Sequence, residues 1–193
     1  MTYRRRTIAN LYLLPLATLM WAQLAWAGAW QVDHGQSMLG FVASYDEIPI
    51  EARFEEYSAE IVFEPAAIQE NIFNISISVD TVNSDSEDRD RGMLDAEWFD
   101  SARYPTAIFR STGFRRINDS GAFEVVGNLS IKSATRPVTV PFTWETNSNL
   151  ARLRGRALVK RTDFDIGTGD WETDDTIGFD VEIVFDLILS EGH

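Results

Sequence analysis

No cysteine occurs anywhere in the 193 residues of this chain. Thiol nucleophiles, thiolate metal sites, thioether-linked haem and disulfide staples are therefore excluded, as is a lipid anchor on an N-terminal cysteine. Histidine is almost as scarce, with only His34 and the terminal His193. A histidine-centred triad or a multi-histidine metal centre cannot be assembled from two such residues. Carboxylates abound, yet no pair stands out as an acid–base couple, so the chain reads as a non-enzyme. Positive charge is also short: 17 Lys and Arg face 30 Asp and Glu, a net charge of −13. Such a surface repels phosphate backbones and anionic headgroups, which argues against nucleic acid and anionic membranes as partners.

Long apolar runs are missing except at the start. Arg4-Arg5-Arg6 precedes an apolar stretch from Leu11 to Trp26, and no further charge appears until Asp33. Ala25-Trp26-Ala27 places small residues at the two positions a signal peptidase reads. This is the pattern of a secretory signal peptide, predicted over residues 1–27 with cleavage after Ala27, leaving a product free in the periplasm with no stable membrane insertion. Without those three arginines, 14 basic residues face 30 acidic ones, a net charge near −16. Residues 28–193 suit a single domain, which at this size buries roughly 70% of its extended surface.

Helical periodicity is rare in this stretch, and the dominant period is two. Phe73, Ile75, Ile77 and Val79 alternate with Asn74, Ser76, Ser78 and Asp80. Ile177, Phe179, Val181, Ile183, Phe185, Leu187 and Leu189 share one face of a longer run, against Gly178, Asp180, Glu182 and Asp186. Val138, Phe142 and Trp144 line a third strand, and Phe123, Val125, Leu129 and Ile131 a fourth, after the turn Asn118-Asp119-Ser120-Gly121. Further runs cover Met38 to Tyr45, Ile50 to Glu64, Ala107 to Ile117 and Leu150 to Phe164. About eight half-buried strands at regular spacing favour an all-β, antiparallel barrel or sandwich. Helix is expected only as a turn at Pro65 to Glu70 and an insertion from Ser84 to about Ser101, with Ser84 or Asp85 as its N-cap.

Two acidic runs, Asp85 to Asp90 and Asp163 to Asp175, lack the residue order of a calcium loop and read as solvated loops. No metal ligand set is identified.

Several patches, taken in order, resemble the YceI family of small secreted proteins. Val79-Asp80, Arg89-Asp90-Arg91, Phe99, Tyr104-Pro105, Phe109 and Ser111-Thr112 carry the strongest likeness. Trp30-Gln31-Val32-Asp33 with Ser37 and Phe41, Phe54 to Ser58, Gly127 to Ile131, Thr135-Arg136-Pro137-Val138 and Arg161 to Ile166 extend it over the rest. The chain departs from the family pattern at Gln36, where a histidine is usual, and at Arg53, Ala59, Ser133 and Asp165, where glycines are common. The resemblance implies a lipocalin-like barrel with one short helical insertion. It also implies a cavity for a long-chain isoprenoid or similar amphiphile, with no cofactor beyond a bound isoprenoid lipid or quinone.

Under that reading the inward, cavity-lining set is Phe73, Ile75, Ile77, Phe109, Phe123, Leu129, Phe142, Trp144, Phe179, Val181, Ile183 and Phe185. Met93, Leu94, Trp98 and Phe99 are the expected entrance. Periodicity alone does not separate a cavity wall from a filled core. The alternative is a filled barrel serving as a stress-related or protein-interaction module without a small ligand.

Overall fold

The two-residue alternation becomes strands wherever one face has a core to meet. In a computed structural model, which describes residues 28–192, these are β1 (Ala29–Val32), β2 (Met38–Tyr45), β3 (Ile48–Phe54), β4 (Tyr57–Val62), β5 (Ile72–Ser78), β6 (Val82–Asn83), β7 (Thr106–Arg116), β8 (Ala122–Ile131), β9 (Ala134–Asn147), β10 (Leu150–Lys160) and β11 (Asp180–Glu191). The expected signal peptide and His193 lie outside the described residues. One helix, α1 (Glu87–Leu94), interrupts the series.

Three strands are broken in two. β1 and β2 lie end to end along β11, β4 and β3 run back beside them, and β5 and β6 lie outside those. With each broken pair taken as one stave, eight antiparallel strands close in up-and-down order, sealed by β11 against β1 and β2. The single run expected from Ile50 to Glu64 is thus two segments, β3 and β4. The residues at the first break explain part of the N-terminal motif. Asp33 Oδ1 accepts the Gly35 amide at 3.0 Å, and Ser37 Oγ accepts the Ile188 amide at 2.9 Å, so side chains replace the interrupted ladder. Ser111 Oγ does the same beside a bulge in β7, accepting the Phe73 amide at 3.0 Å.

The insertion is less helical than its sequence suggests. α1 has two turns, its N-cap is Ser86 rather than Ser84 or Asp85, and the Ser86 side chain makes no capping bond. Asp90 instead reaches back, accepting from the Ser84 amide at 2.8 Å and from Ser84 Oγ at 2.5 Å. Beyond Leu94 the chain runs in turns until β7. The strand expected to continue to Phe164 ends at Lys160, where Arg161–Phe164 form a short helical turn.

The two ends of the barrel differ. At the end formed by the start of β5 and the close of β7, Phe63, Phe73, Phe114, Phe123, Phe142 and Trp144 pack edge-on or tilted, with Phe123 and Phe142 stacked, at pair centroid distances of 4.8–6.5 Å. This end is solid: Phe123 is 1% exposed and Leu189 0%. At the other end the wall splays. β9 pairs with β8 from Ala134 to Thr143 but with β10 only from Phe142 to Asn147. Pro137 and Pro141 lack amide donors, and because the β8 ladder runs past both, the missing donors fall on the β10 side, where pairing stops. Gly155 sits at the fork, with room for a Cβ denied by Phe185 Cζ at 2.4 Å and the Pro141 carbonyl oxygen at 2.5 Å.

Candidate functional site: an apolar cavity at the open end

The splayed end encloses a cavity of about 360 Å³, within the usual range of small-molecule sites. Its floor is the upper face of the aromatic cluster, where Phe73, Ile61 and Leu187 line it. Its wall is made by inward residues of the upper strand halves. Ile75, Ile77, Phe109, Val181, Ile183 and Phe185 line it and stay half-exposed although they point into the barrel. Side chains packed against one another in a filled core would lose that exposure.

Two cover segments cross above the cavity. One is α1 and the turns after it, which present Arg89, Gly92 and Met93 from one helix face, followed by Trp98 and Phe99. The spacing of three and four residues puts the first three side by side. The other cover runs from Arg161 to Phe179 and contributes Phe164, Ile166, Trp171 and Ile177. The covers are fastened to each other. The Glu97 carbonyl accepts the Gly167 amide at 2.7 Å and the Thr168 amide at 3.1 Å, Trp98 and Trp171 pack at 5.4 Å, and Trp171 Nε1 donates to Glu97 Oε2 at 3.1 Å. Lys132, in the β8–β9 turn, bridges the Ala96 and Asp165 carbonyls at 3.2 and 2.7 Å.

Arg161 organises the second cover. Only 2% exposed, it donates to six backbone carbonyls: Gly178 from Nε at 3.1 Å, Ile166 and Gly167 from Nη1, and Trp171, Thr173 and Ile177 from Nη2, the shortest at 2.7 Å. Burial pushes its pKa below the ordinary arginine range, and carbonyl dipoles, in place of a carboxylate, hold the charge. The planar fork of five donors suits it to that task. Gly167, at φ +75°, is required here, since a Cβ would stand 2.0 Å from Arg161 Nη1. Asp165, where the family favours glycine, takes the left-handed conformation at φ 54°. Losing that glycine therefore strains one residue without changing the turn.

The sequence-derived candidates divide along the barrel axis. Phe73, Ile75, Ile77, Phe109, Leu129, Val181, Ile183 and Phe185 line the cavity, as do Met93, Trp98 and Phe99 of the expected entrance. Phe123, Phe142 and Trp144 also point inward, but at the solid end, where they complete the aromatic cluster. Phe179 precedes β11 and packs under the Arg161 guanidinium at 5.3 Å instead of lining the wall. Leu94 lies off the cavity, its carbonyl accepting the Ser101 amide at 3.1 Å. Sequence reasoning missed Tyr45, Gly92 and the structural role of Arg161. The first two carry no periodic signal, and Arg161 was visible only as one letter of a motif.

The fold and site together define a lipocalin-like antiparallel barrel with an apolar cavity at one end. Residues 30–189 match the model of the YceI-like domain, and the chain belongs to that family. It is 28% identical to a UPF0312 protein of Azotobacter vinelandii over 87 residues, and 26% identical to the protein YceI of Salmonella arizonae over 87 residues. Those matches cover 45% of this chain and 45% and 44% of the relatives, so the chain spans about half the length of the relatives it matches. Among solved structures, BcnA of Burkholderia cenocepacia superposes with a TM-score of 0.79 at 28% identity, over 82% of this chain and 99% of that one. A polyisoprenoid binding domain from Saccharophagus degradans superposes with a TM-score of 0.65 at 16% identity, over 85% of this chain and 99% of that one, a likeness of fold alone.

Proposed function

We propose that this protein is a periplasmic carrier that sequesters a long-chain apolar ligand, a polyisoprenoid or isoprenoid quinone, in the cavity at the open end of its barrel. The observation that carries the reading is the contrast between the two ends. The lower half of the inward face is packed to near-zero exposure, whereas the same alternating face higher up surrounds about 360 Å³ of apolar space. Cavity space forgoes packing at about 24 cal/mol per Å³, so a volume of this size costs on the order of several kcal/mol that an apolar chain would recover. Burial of apolar surface at about 25 cal/mol per Å² then supplies affinity with no catalytic group. Membership of the YceI-like family supports the reading, as does the name of the Saccharophagus neighbour. The half-exposed inner wall favours the carrier over a filled barrel acting only as an interaction module.

The test is direct. Protein purified without detergent is examined by native mass spectrometry and then extracted with organic solvent. A bound lipid of defined mass supports the carrier. A protein that yields none, and that also refuses prenyl quinones in a titration, overturns it. Export is checked separately, by fractionating cells and sequencing the N-terminus of the product, which should begin at Gly28.

A further inference from the structure

The floor of the cavity is a sharp boundary, and its height along the barrel axis fixes how much chain the cavity encloses. On three strands of the wall, successive inward residues change from buried to half-exposed in one step. On β5 the step falls between Phe73, 3% exposed, and Ile75; on β9 it falls between Val140 and Val138; on β11 it falls between Leu187, 4% exposed, and Phe185. Of the six rings in the aromatic cluster, only Phe73 lines the cavity. It packs on Phe63, Phe114 and Phe142 with centroids 5.0–5.8 Å away, so the apolar space ends at its ring.

Depth and volume give the same capacity. On β11 the lining residues run from Leu187 at the floor to Val181, along a strand that rises about 3.4 Å per residue. With the tilt of about 35–45° that barrel closure imposes, this is roughly 15 Å of axial depth. An extended isoprene unit spans about 5 Å over its four backbone bonds, so the depth corresponds to about three units. A volume of about 360 Å³, at about 27 Å³ per methylene packed to interior density, holds about 13 carbons, again between two and three units.

We infer that Phe73 is a length-determining residue, and that the aromatic plug behind it limits the enclosed chain to about three isoprene units, with the rest of any longer chain left outside. This rests on the carrier reading above and specifies how much of the chain is buried. Each enclosed unit removes apolar surface from water and strengthens binding, whereas a unit beyond the mouth stays hydrated and adds nothing. Affinity therefore climbs with chain length and stops at the length the floor dictates. Ile75, two residues along β5, points into the same space one pleat nearer the mouth and offers the opposite adjustment.

The experiment titrates lipid-stripped protein with geraniol, farnesol and geranylgeraniol, the alcohols of two, three and four isoprene units, below their solubility limits. The fluorescence of Trp98 and Trp171, which line the cavity, reports binding. Wild type should bind farnesol at least about tenfold more tightly than geraniol, and geranylgeraniol within about twofold of farnesol. Phe73→Ala frees on the order of 100 Å³, room for about one more unit, and should open a gap of about tenfold between geranylgeraniol and farnesol. Ile75→Phe fills the space above the floor and should bring farnesol down to the level of geraniol. Geraniol itself should change less than about twofold in that variant, which also shows it to be folded. If circular dichroism finds Phe73→Ala unfolded, Ile75→Phe decides alone. A wild-type affinity that rises from farnesol to geranylgeraniol by the same factor as from geraniol to farnesol overturns the length limit while the carrier stands. An Ile75→Phe variant that keeps the wild-type ratio of farnesol to geraniol does the same. If none of the three alcohols binds wild type, the carrier reading fails and this inference with it.

Discussion

Replacing Gly92 by leucine should make the protein more stable and worse at binding, a combination that few other positions allow. Gly92 lies in α1 beside Arg89 and Met93 on the face that lines the cavity mouth, and a Cβ built there meets nothing within 4 Å. Glycine inside a helix is about 0.8–1 kcal/mol worse than alanine, and leucine is close to alanine, so the helix gains on the order of 0.5–1 kcal/mol. The isobutyl group meanwhile removes on the order of 100 Å³ from a cavity of about 360 Å³. A ligand that gives up two or three methylene contacts at about 0.8 kcal/mol each loses roughly 10- to 60-fold in affinity. Urea denaturation reads the first effect and a prenyl-ligand titration the second. Gly92→Ala serves as the control, with the same gain in stability and a smaller loss of binding. Undiminished binding in Gly92→Leu would refute the placement of α1 over the entrance, and a drop in stability would refute the open space at Gly92.

Three further outcomes follow from the same geometry. Ile183→Asp puts a carboxylate on the inner wall and should abolish binding or folding, whereas Glu182→Gln, one residue away on the outer face, should be mild; circular dichroism with a binding titration separates them. Arg161→Met removes the donors of six carbonyls and should cost about 3–5 kcal/mol if those carbonyls stay buried, read as an early loss of Trp98–Trp171 fluorescence change in denaturant; a shift below about 1 kcal/mol would show that water replaces the guanidinium. Asp186 pairs with Arg152 through bonds of 2.7 and 2.5 Å, and that hydrogen bond first, then the nearby charge, hold its pKa below the ordinary aspartate value. A depressed carboxylate stabilises the fold above its unfolded pKa of about 3.9 and loses that contribution as pH falls through the folded value. Wild type should therefore lose stability below about pH 4 by an increment that Asp186→Asn lacks, and since a third of the side chain is exposed the increment stays under about 1 kcal/mol.

The alternation from Ile72 to Ser78 and from Asp180 to Glu191 was sufficient to place strands, because a period of two with one apolar face has a single comfortable conformation in a sheet. The broken staves were not legible. Ile50 to Glu64 reads as one run because the kink at Glu55-Glu56 is made by residues with no turn signature. The helix start moved for a similar reason: Ser84 has the right chemistry for a cap, but Asp90 and Arg89 claim its amide and hydroxyl.

For the site, the sequence by itself determined the inward alternation apart from Phe179, the lack of cysteine, and the Met93 to Phe99 segment as an apolar cover apart from Leu94. It could not separate Phe142 from Ile183, since both alternate correctly and both point into the barrel. Only the tertiary structure decided between them, through height along the axis. Phe142 meets four other aromatic rings at the solid end, those of Phe63, Phe73, Phe114 and Phe123, while Ile183 stands where Pro137 and Pro141 stop the β9–β10 ladder and the wall opens. Side-chain direction is a local property of the backbone, whereas the presence of a neighbour to fill the space is a property of the closed barrel, and the difference between core and cavity belongs to the second.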